Sequence, residues 1–424
     1  MKDRPHILYI FTDQQYAGAV GCAGNADLRT PALDRLAETG VRFEKAYCTC
    51  PLCTPSRASM ITGMMPHQVG ISGNNQPIGE AFRSRGIGHT LSDAGYECVY
   101  GGKWHLPEGA LPEGHGFRSI CGFSDRDLAD RCITFIRQLH DRPFFAVASF
   151  DNPHNICEWA RQTPLPWGPI PEAPVEACPN LPPNYAIPAY EPEVLRMEQA
   201  AQPRFFRGLS FTDDDWRRYR HAYYRLVEKV DAEIGRVLDA LRAAGLEEET
   251  LVIFSSDHGD GLGAHRWNQK WVLYEESVRI PLILSLKGRT AAPGRADAEH
   301  LVSNGLDLFP TICDYAGVEP PEGLPGLSLR PPAEARGDTW RDCVVAETSF
   351  DPKFGGLGTR GRMVRTERYK YIVYSWGKHR EQLFDLEADP GEMVNLAVEA
   401  RHQGVLARHR ELLAAWVEKT GDRF

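Results

Sequence analysis

Four short hydrophobic runs each end on residues able to hold a metal ion or move a proton. HILYIFT (6–12) is followed by Asp13 and Gln14, and YECVYG (96–101) by Gly102, Lys103 and His105. FFAVASF (144–150) leads into Asp151, Asn152 and His154, and TLVIFSS (250–256) into Asp257 and His258. Asp13, Gln14 and Asp257 offer hard oxygen ligands and His258 a ring nitrogen, a set that suits calcium, magnesium or manganese better than softer zinc or copper sites. Lys103, with Lys270 of HRWNQKWVLYEES, could hold a tetrahedral anion. His105 and His154 are candidates for proton transfer near neutral pH. One polar strand end signifies little, because strands end at solvent. Four with complementary chemistry point to a common edge, since ligands of open parallel sheets bind beyond the carboxyl ends of the strands.

The stretch CTCPLCTPSRASMITG (48–63) adds three cysteines in six positions. A structural zinc site would need a matching second pair at the usual spacing, and none follows. Cys48 and Cys50 read as buried thiols. Pro55 fits the first position of a helix through SRASMITG, which sets Cys53 just ahead of a helix N-terminus, where negative charge is stabilised. Arg57, one turn inside, brings a permanent cation beside it.

The elements that must position these residues are legible. The four runs are nearly continuous in apolar character, as expected of strands buried on both faces. Their alternation with helical stretches predicts an α/β fold with a large mixed, mostly parallel sheet flanked by helices. Thr212 as N-cap, Asp213 to Asp215 in a first turn, the apolar series Val230, Ile234, Val237, Leu238 and Leu241, and a stop at Gly245 predict one long helix. Eleven prolines between 164 and 203 predict a loop without regular structure inside a proline-rich segment spanning 155–210. Beyond about residue 335 the texture changes. RMVRTERYKYIVY (362–374) alternates like an antiparallel strand, LFDLEADPGEMVNL makes a turn, and 398–418 has the pattern of an amphipathic helix. The expected organisation is a catalytic α/β domain over 1–335 and a small C-terminal α+β subdomain with an antiparallel sheet over 336–424.

CTPSR (53–57) resembles the Cys-X-Pro-Ser-Arg signature of type I sulfatases, of the alkaline phosphatase superfamily. The likeness runs nearly end to end: ILYIFTDQQ is similar to that family's N-terminal metal strand, GGKWH to its lysine–histidine motif, FSSDHGD to its second metal strand, and LFDLEADPGEMVNLA to its C-terminal turn. The resemblance implies an alkaline phosphatase-like fold. It also implies that Cys53 is oxidised to formylglycine by a formylglycine-generating or sulfatase-maturating enzyme, the aldehyde hydrate being the nucleophile. Asp13, Gln14, Asp257 and His258 would bind one divalent cation together with residue 53. The family commonly has aspartate where Gln14 stands and often asparagine where His258 stands, so negative charge is lower here; calcium is expected and manganese left open. One hydroxyl of the hydrate would attack sulfur in line with the departing alcohol, and the other would expel sulfate by re-forming the aldehyde. His154 and Lys270 would assist the leaving oxygen, His105 the collapse of the sulfated hydrate, and Arg57 would hold the hydrate and its helix.

The substrate expected is a small-molecule or oligosaccharide sulfate ester, with 6-sulfated N-acetylglucosamine or a related glycosaminoglycan sugar favoured. HRWNQKWVLYEES is similar to the matching stretch of bacterial sulfatases that act on such sugars. His265, Arg266, Trp267 and Asn268 are expected to line the pocket mouth with the proline-rich segment, unless Trp267 and Trp159 merely pack that segment down. Two alternatives remain: a phosphonate monoester or phosphodiester hydrolase of the same superfamily, and a non-catalytic binder of sulfated glycans. The net charge of −9 argues against nucleic acid as a partner. No run approaches the roughly 20 apolar residues that span a bilayer. Strand character begins at Ile7, and the eleven cysteines are mostly scattered, so the sequence as it stands reads as cytoplasmic, or as periplasmic if a signal peptide has been removed.

Overall fold

The computed structural model describes residues 4–106, 111–290, 294–337 and 339–424. All four sequence-predicted runs are strands: His6–Asp13, Glu97–Gly102, Phe144–Pro153 and Thr250–Ser256. They lie side by side and parallel, in the order 97–102, 144–153, 6–13, 250–256, within an eight-stranded sheet. Short antiparallel pairings through Ile283–Ser285 make the sheet mixed. The register runs His6 to Thr12 against Thr250 to Ser256, so Asp13 and Asp257 finish level.

Alternate side chains go to opposite faces. Leu8, Ile10, Ala146, Ala148, Val252 and Phe254 meet the helices Pro31–Thr39, Asp125–Ile136 and Asp213–Ala243. The last of these starts as predicted: Thr212 Oγ1 accepts from the Asp215 N–H at 3.2 Å, and the Asp215 carboxylate accepts from the Thr212 N–H at 2.9 Å. Ile7, Tyr9, Phe11, Phe145, Val147 and Ile253 face the other way, onto the helices Cys53–Thr62 and Asn304–Ala316.

A second sheet, of four antiparallel strands between Val344 and Asp385, lies wholly within 336–424 and is closed by the helix Gln403–Thr420. It shares its core with the large sheet, because Val344, Ala346, Met363, Ile372 and Phe384 belong to the same cluster as Ile7 and Phe11.

Three expectations need correction. RMVRTERYKYIVY is two strands, Arg360–Arg365 and Tyr369–Tyr374, because Thr366 to Arg368 make a turn without glycine or proline to announce it. The proline-rich segment contains a helix, Glu193–Ala201, where ten proline-free residues follow Pro192 and bury Val194 and Leu195. The helix of the CTPSR stretch begins at Cys53 itself, with Leu52 as N-cap, so Pro55 is its third residue rather than its first. Proline is tolerated there because the first N–H groups of a helix have no partner inside it.

His115 gives the fold a predictable response to acid. It is buried, its ring lies 5.1 Å from that of Trp104, and among the described residues its Nδ1 has no hydrogen-bond partner. Burial, helped by Arg83 and His89, pushes its pKa down to about 4 from 6.5. The unfolded chain therefore binds the proton first, so stability is intact above pH 6.5 and erodes as pH falls toward 4. Thermal unfolding between pH 7 and pH 4.5 should show a shallower decline for His115→Phe than for the wild type, the difference approaching at most about 1.4 kcal/mol per pH unit. Parallel curves would remove His115 from the acid response.

Candidate active site

The aligned strand ends place Asp13 and Asp257 against one guanidinium. Arg57 Nη2 donates to Asp13 Oδ2 at 2.9 Å and Nε to Asp257 Oδ2 at 2.8 Å. Its Nη1 donates to the Lys103 carbonyl and to Ser149 Oγ. This geometry turns the remaining oxygen of each carboxylate inward. Asp13 Oδ1 is 3.8 Å and Asp257 Oδ1 3.6 Å from His258 Nε2. His258 Nδ1 sits 3.0 Å from the Gly259 carbonyl, which can only accept, so Nδ1 carries a proton and Nε2 is the ring nitrogen turned to the cluster. Cys53 Sγ completes the group, 3.3 Å from His258 Nε2 and 3.6 Å from Asp13 Oδ1.

Two lysines reach the same cluster from distant parts of the chain. Lys103 Nζ lies 2.8 Å from Asp13 Oδ2 and 2.9 Å from Asp151 Oδ1. Lys270 Nζ donates to Cys53 Sγ at 3.0 Å and to Gln14 Oε1 at 2.9 Å. The glycine before Lys103 is required by close approach. Gly102 has φ 91°, and a Cβ there would fall 2.0 Å from the Ser149 carbonyl oxygen.

The charges settle one another. Burial opposes ionisation of Asp13, but Lys103, His154, Lys270 and Arg57 hold its carboxyl well below the usual range. Burial and the Asp13 charge push Asp257 up, against His258 and Arg57. For Cys53, burial and Asp13 favour the thiol, yet Lys270, His258 and Lys103 prevail and leave it well below an ordinary cysteine. Burial disfavours the Lys103 ammonium, and Asp13 and Asp151 more than restore it.

The donor set suits a divalent cation. Ligand atoms of Asp13, Cys53, Asp257 and His258 all lie within 4.8 Å of one another, and all four residues are buried. The cations Arg57, Lys103 and Lys270 are matched in number by the carboxylates Asp13, Asp151 and Asp257. A bound cation would thus supply the surplus positive charge that an anionic ester needs. Gln14 Oε1 faces Lys270, while its Nε2 donates to Asp260 Oδ2 at 2.7 Å, which fixes the amide's orientation.

A cavity of about 780 Å³ opens beside Lys103 and its partner Asp151, lined by these two and by His105, Phe123, His154 and Glu158 among others. His154 Nδ1 lies 3.9 Å from Asp151 Oδ1. His105 stands on the wall, its carbonyl accepting from Thr54 Oγ1; among the described residues no hydrogen bond joins it to Cys53.

Four residues expected at the mouth sit elsewhere. Trp267 is fully buried against Phe206, and its indole N–H donates to the Lys270 carbonyl. His265 is buried and stacks on Tyr274 at 3.9 Å. Asn268 binds the backbone of Phe205 and Gly208, and Arg266 lies over the Tyr185 ring. They fasten the proline-rich segment and hold the loop that carries Lys270. The sequence reading set Asp151 at the common edge without a particular role, and it did not single out Asp260; Asp151 binds Lys103 and Asp260 orients Gln14. Both were visible as carboxylates at or just past the end of a buried strand.

A cationic cradle beside clustered carboxylates, at the ends of parallel strands, is the equipment of a hydrolase acting on charged esters. The sulfatase family model matches residues 5–318, and one described as N-sulphoglucosamine sulphohydrolase, C-terminal, matches 263–419. A Delta 4,5-hexuronate-2-O-sulfatase of Bacteroides thetaiotaomicron is 30% identical over 454 residues, covering 100% of this chain and 91% of its own. An N-acetylglucosamine-6-O-sulfatase of the same organism is 25% identical, covering 99% and 87%. The solved structure of a 2-O GAG sulfatase superposes with a TM-score of 0.86 at 28% identity, covering 99% of this chain and 93% of the other. The chain belongs to the sulfatase family. It is a sulfuric ester hydrolase with the family's alkaline phosphatase-like fold.

Proposed function

We propose that the protein removes an O-sulfate from a glycosaminoglycan-type saccharide, with a 2-O-sulfated hexuronate ranked ahead of 6-sulfated N-acetylglucosamine. The observation that carries the reading is the convergence of Lys103 and Lys270 on Asp13 and Cys53 beside a cavity roomy enough for a sugar. The ranking follows the higher identity to the hexuronate enzyme. A divalent cation held by Asp13, Gln14, Asp257 and His258 would supply Lewis-acid neutralisation of the sulfate oxygens, and formylglycine at position 53 a hydroxyl nucleophile. Lys103 and Lys270 bind and orient the anion. Arg57 keeps Asp13 and Asp257 level, and His154 holds a proton at the cavity wall for the departing sugar oxygen. The oxygen-rich donors favour calcium, while the imidazole of His258 leaves manganese as the second choice.

The test is a turnover panel of 2-O-sulfated unsaturated hexuronate disaccharide, 6-sulfated N-acetylglucosamine, an aryl sulfate and an aryl phosphonate. Each is assayed after chelation and after return of calcium or manganese. Activity on the hexuronate ester, lost on chelation and restored by one of the ions, is expected. Faster turnover of the phosphonate than of any sulfate would move the protein to the phosphonate hydrolases, and full activity in verified metal-free protein would remove the cation.

A further inference from the structure

Phe123 is 57% exposed and lines the catalytic cavity, with Lys103 Nζ 5.7 Å from its ring centroid. Isolated surface aromatics are common, but this one stands directly above a lysine of the anion cradle. It is also held in place. The indole of Trp167 meets it edge to face, 5.5 Å between centroids and 86° between planes. The same indole donates Nε1–H to Asp151 Oδ2 at 2.9 Å, and Asp151 binds Lys103 through its other oxygen. Lys229 Nζ, from the long helix, anchors the Trp167 and Gly168 carbonyls. The proline-rich segment therefore delivers one residue that touches both the exposed ring and the partner of the catalytic lysine.

We propose that Phe123 is the surface on which the sulfated sugar stacks, and that Trp167 is the positioning residue that sets this surface relative to Lys103. The inference rests on the saccharide reading above. A sugar has an apolar face of C–H groups that packs on an aromatic ring and a rim of hydroxyls that needs polar partners. With sulfate on Lys103, its sugar is one ester oxygen away, within reach of the Phe123 ring; Glu113, Ser119 and Glu158 line the same cavity and can meet hydroxyls. Aryl and saccharide esters would both profit from the ring, so the discriminating probe is inorganic sulfate, which needs the lysines and not the ring.

The experiment measures KM and kcat for the sulfated disaccharide, and the inhibition constant of inorganic sulfate against aryl sulfate turnover, for four variants. Phe123→Ala should raise KM for the disaccharide about tenfold or more while shifting the sulfate constant less than about threefold. Phe123→Trp should keep KM near the wild-type value, which guards against a folding defect. Trp167→Phe keeps a ring but loses the N–H to Asp151, so it should lower kcat and weaken sulfate inhibition. Trp167→Ala should do both and raise KM as well. If Phe123→Ala weakens sulfate as much as disaccharide, the ring merely supports Lys103 and the stacking surface is refuted; an unchanged KM refutes it too. Wild-type protein that hydrolyses aryl sulfate but no sulfated saccharide overturns the functional reading and this inference together, a result distinct from either failure of the variants.

Discussion

Cys53→Ala is expected to abolish turnover of sulfate esters, whereas Cys48→Ala and Cys50→Ala should retain activity and lose stability only. The three thiols lie within six residues but in different surroundings. Cys53 Sγ is ringed by Lys270 Nζ, His258 Nε2 and Asp13 Oδ1 within 3.6 Å, and its thiol is held well below the ordinary range. Cys48 and Cys50 are buried in the main core, where burial pushes both thiols up. Each of their replacements removes one sulfur from a packed interior, a loss of roughly 1 kcal/mol. The check pairs steady-state assays with mass spectrometry of the peptide containing residue 53. Fully active wild-type protein carrying only unmodified cysteine would exclude formylglycine as the nucleophile, and a Cys53→Ala variant retaining a few per cent of the rate would exclude position 53 altogether.

The second large effect concerns the two lysines, which should part company in stability while agreeing in catalysis. Lys103→Ala and Lys270→Ala should each depress kcat for a sulfate ester by about 10²–10³-fold, because a fixed cation acts most strongly on the charge that shifts to the ester oxygens during cleavage. Lys103 is also the ion partner of Asp13 and Asp151, both buried, and among the described residues its removal leaves Asp151 without a cation in hydrogen-bond contact. Breaking such a buried pair costs about 3–5 kcal/mol. Lys270 instead contacts the Cys53 sulfur and the Gln14 amide, with Asp13 Oδ1 4.0 Å away, so its loss strands no carboxylate in hydrogen-bond contact and should cost markedly less. Thermal unfolding beside single-turnover rates separates the two effects. A rise in KM alone, with kcat intact for both variants, would reduce the lysines to ground-state binding.

How much of this was legible depended on the range of the physics. The four strands announced themselves because strands buried on both faces have no polar side to dilute the pattern. The residues just beyond them followed, and Asp13, Gln14, Lys103, Asp257 and His258 meet because the strands are adjacent and level. The 213–243 helix was legible from its cap, a local interaction. Tertiary effects were not. Trp267 and His265 look like ligand-binding types, yet long-range packing against Phe206 and Tyr274 decides their fate. Phe123 and Trp167 are 44 positions apart in sequence, and only the fold brings their rings together. The turn at Thr366–Arg368 was hidden because alternation continues unbroken across a hairpin whose turn lacks glycine and proline.

The complete burial of Cys53 has a consequence in time. Its side chain is enclosed by Asp13, synthesised before it, and by His258 and Lys270, synthesised after it; Lys270 follows by 217 residues. At about 5–20 residues per second, a nascent chain needs roughly 10–40 s to go from one to the other. Until then the thiol lacks the His258 and Lys270 contacts that help enclose it, and in the complete fold it has no exposed surface. Any enzyme that modifies Cys53 therefore competes with the elongation and folding clock, and slower emergence of the 258–270 segment lengthens its window.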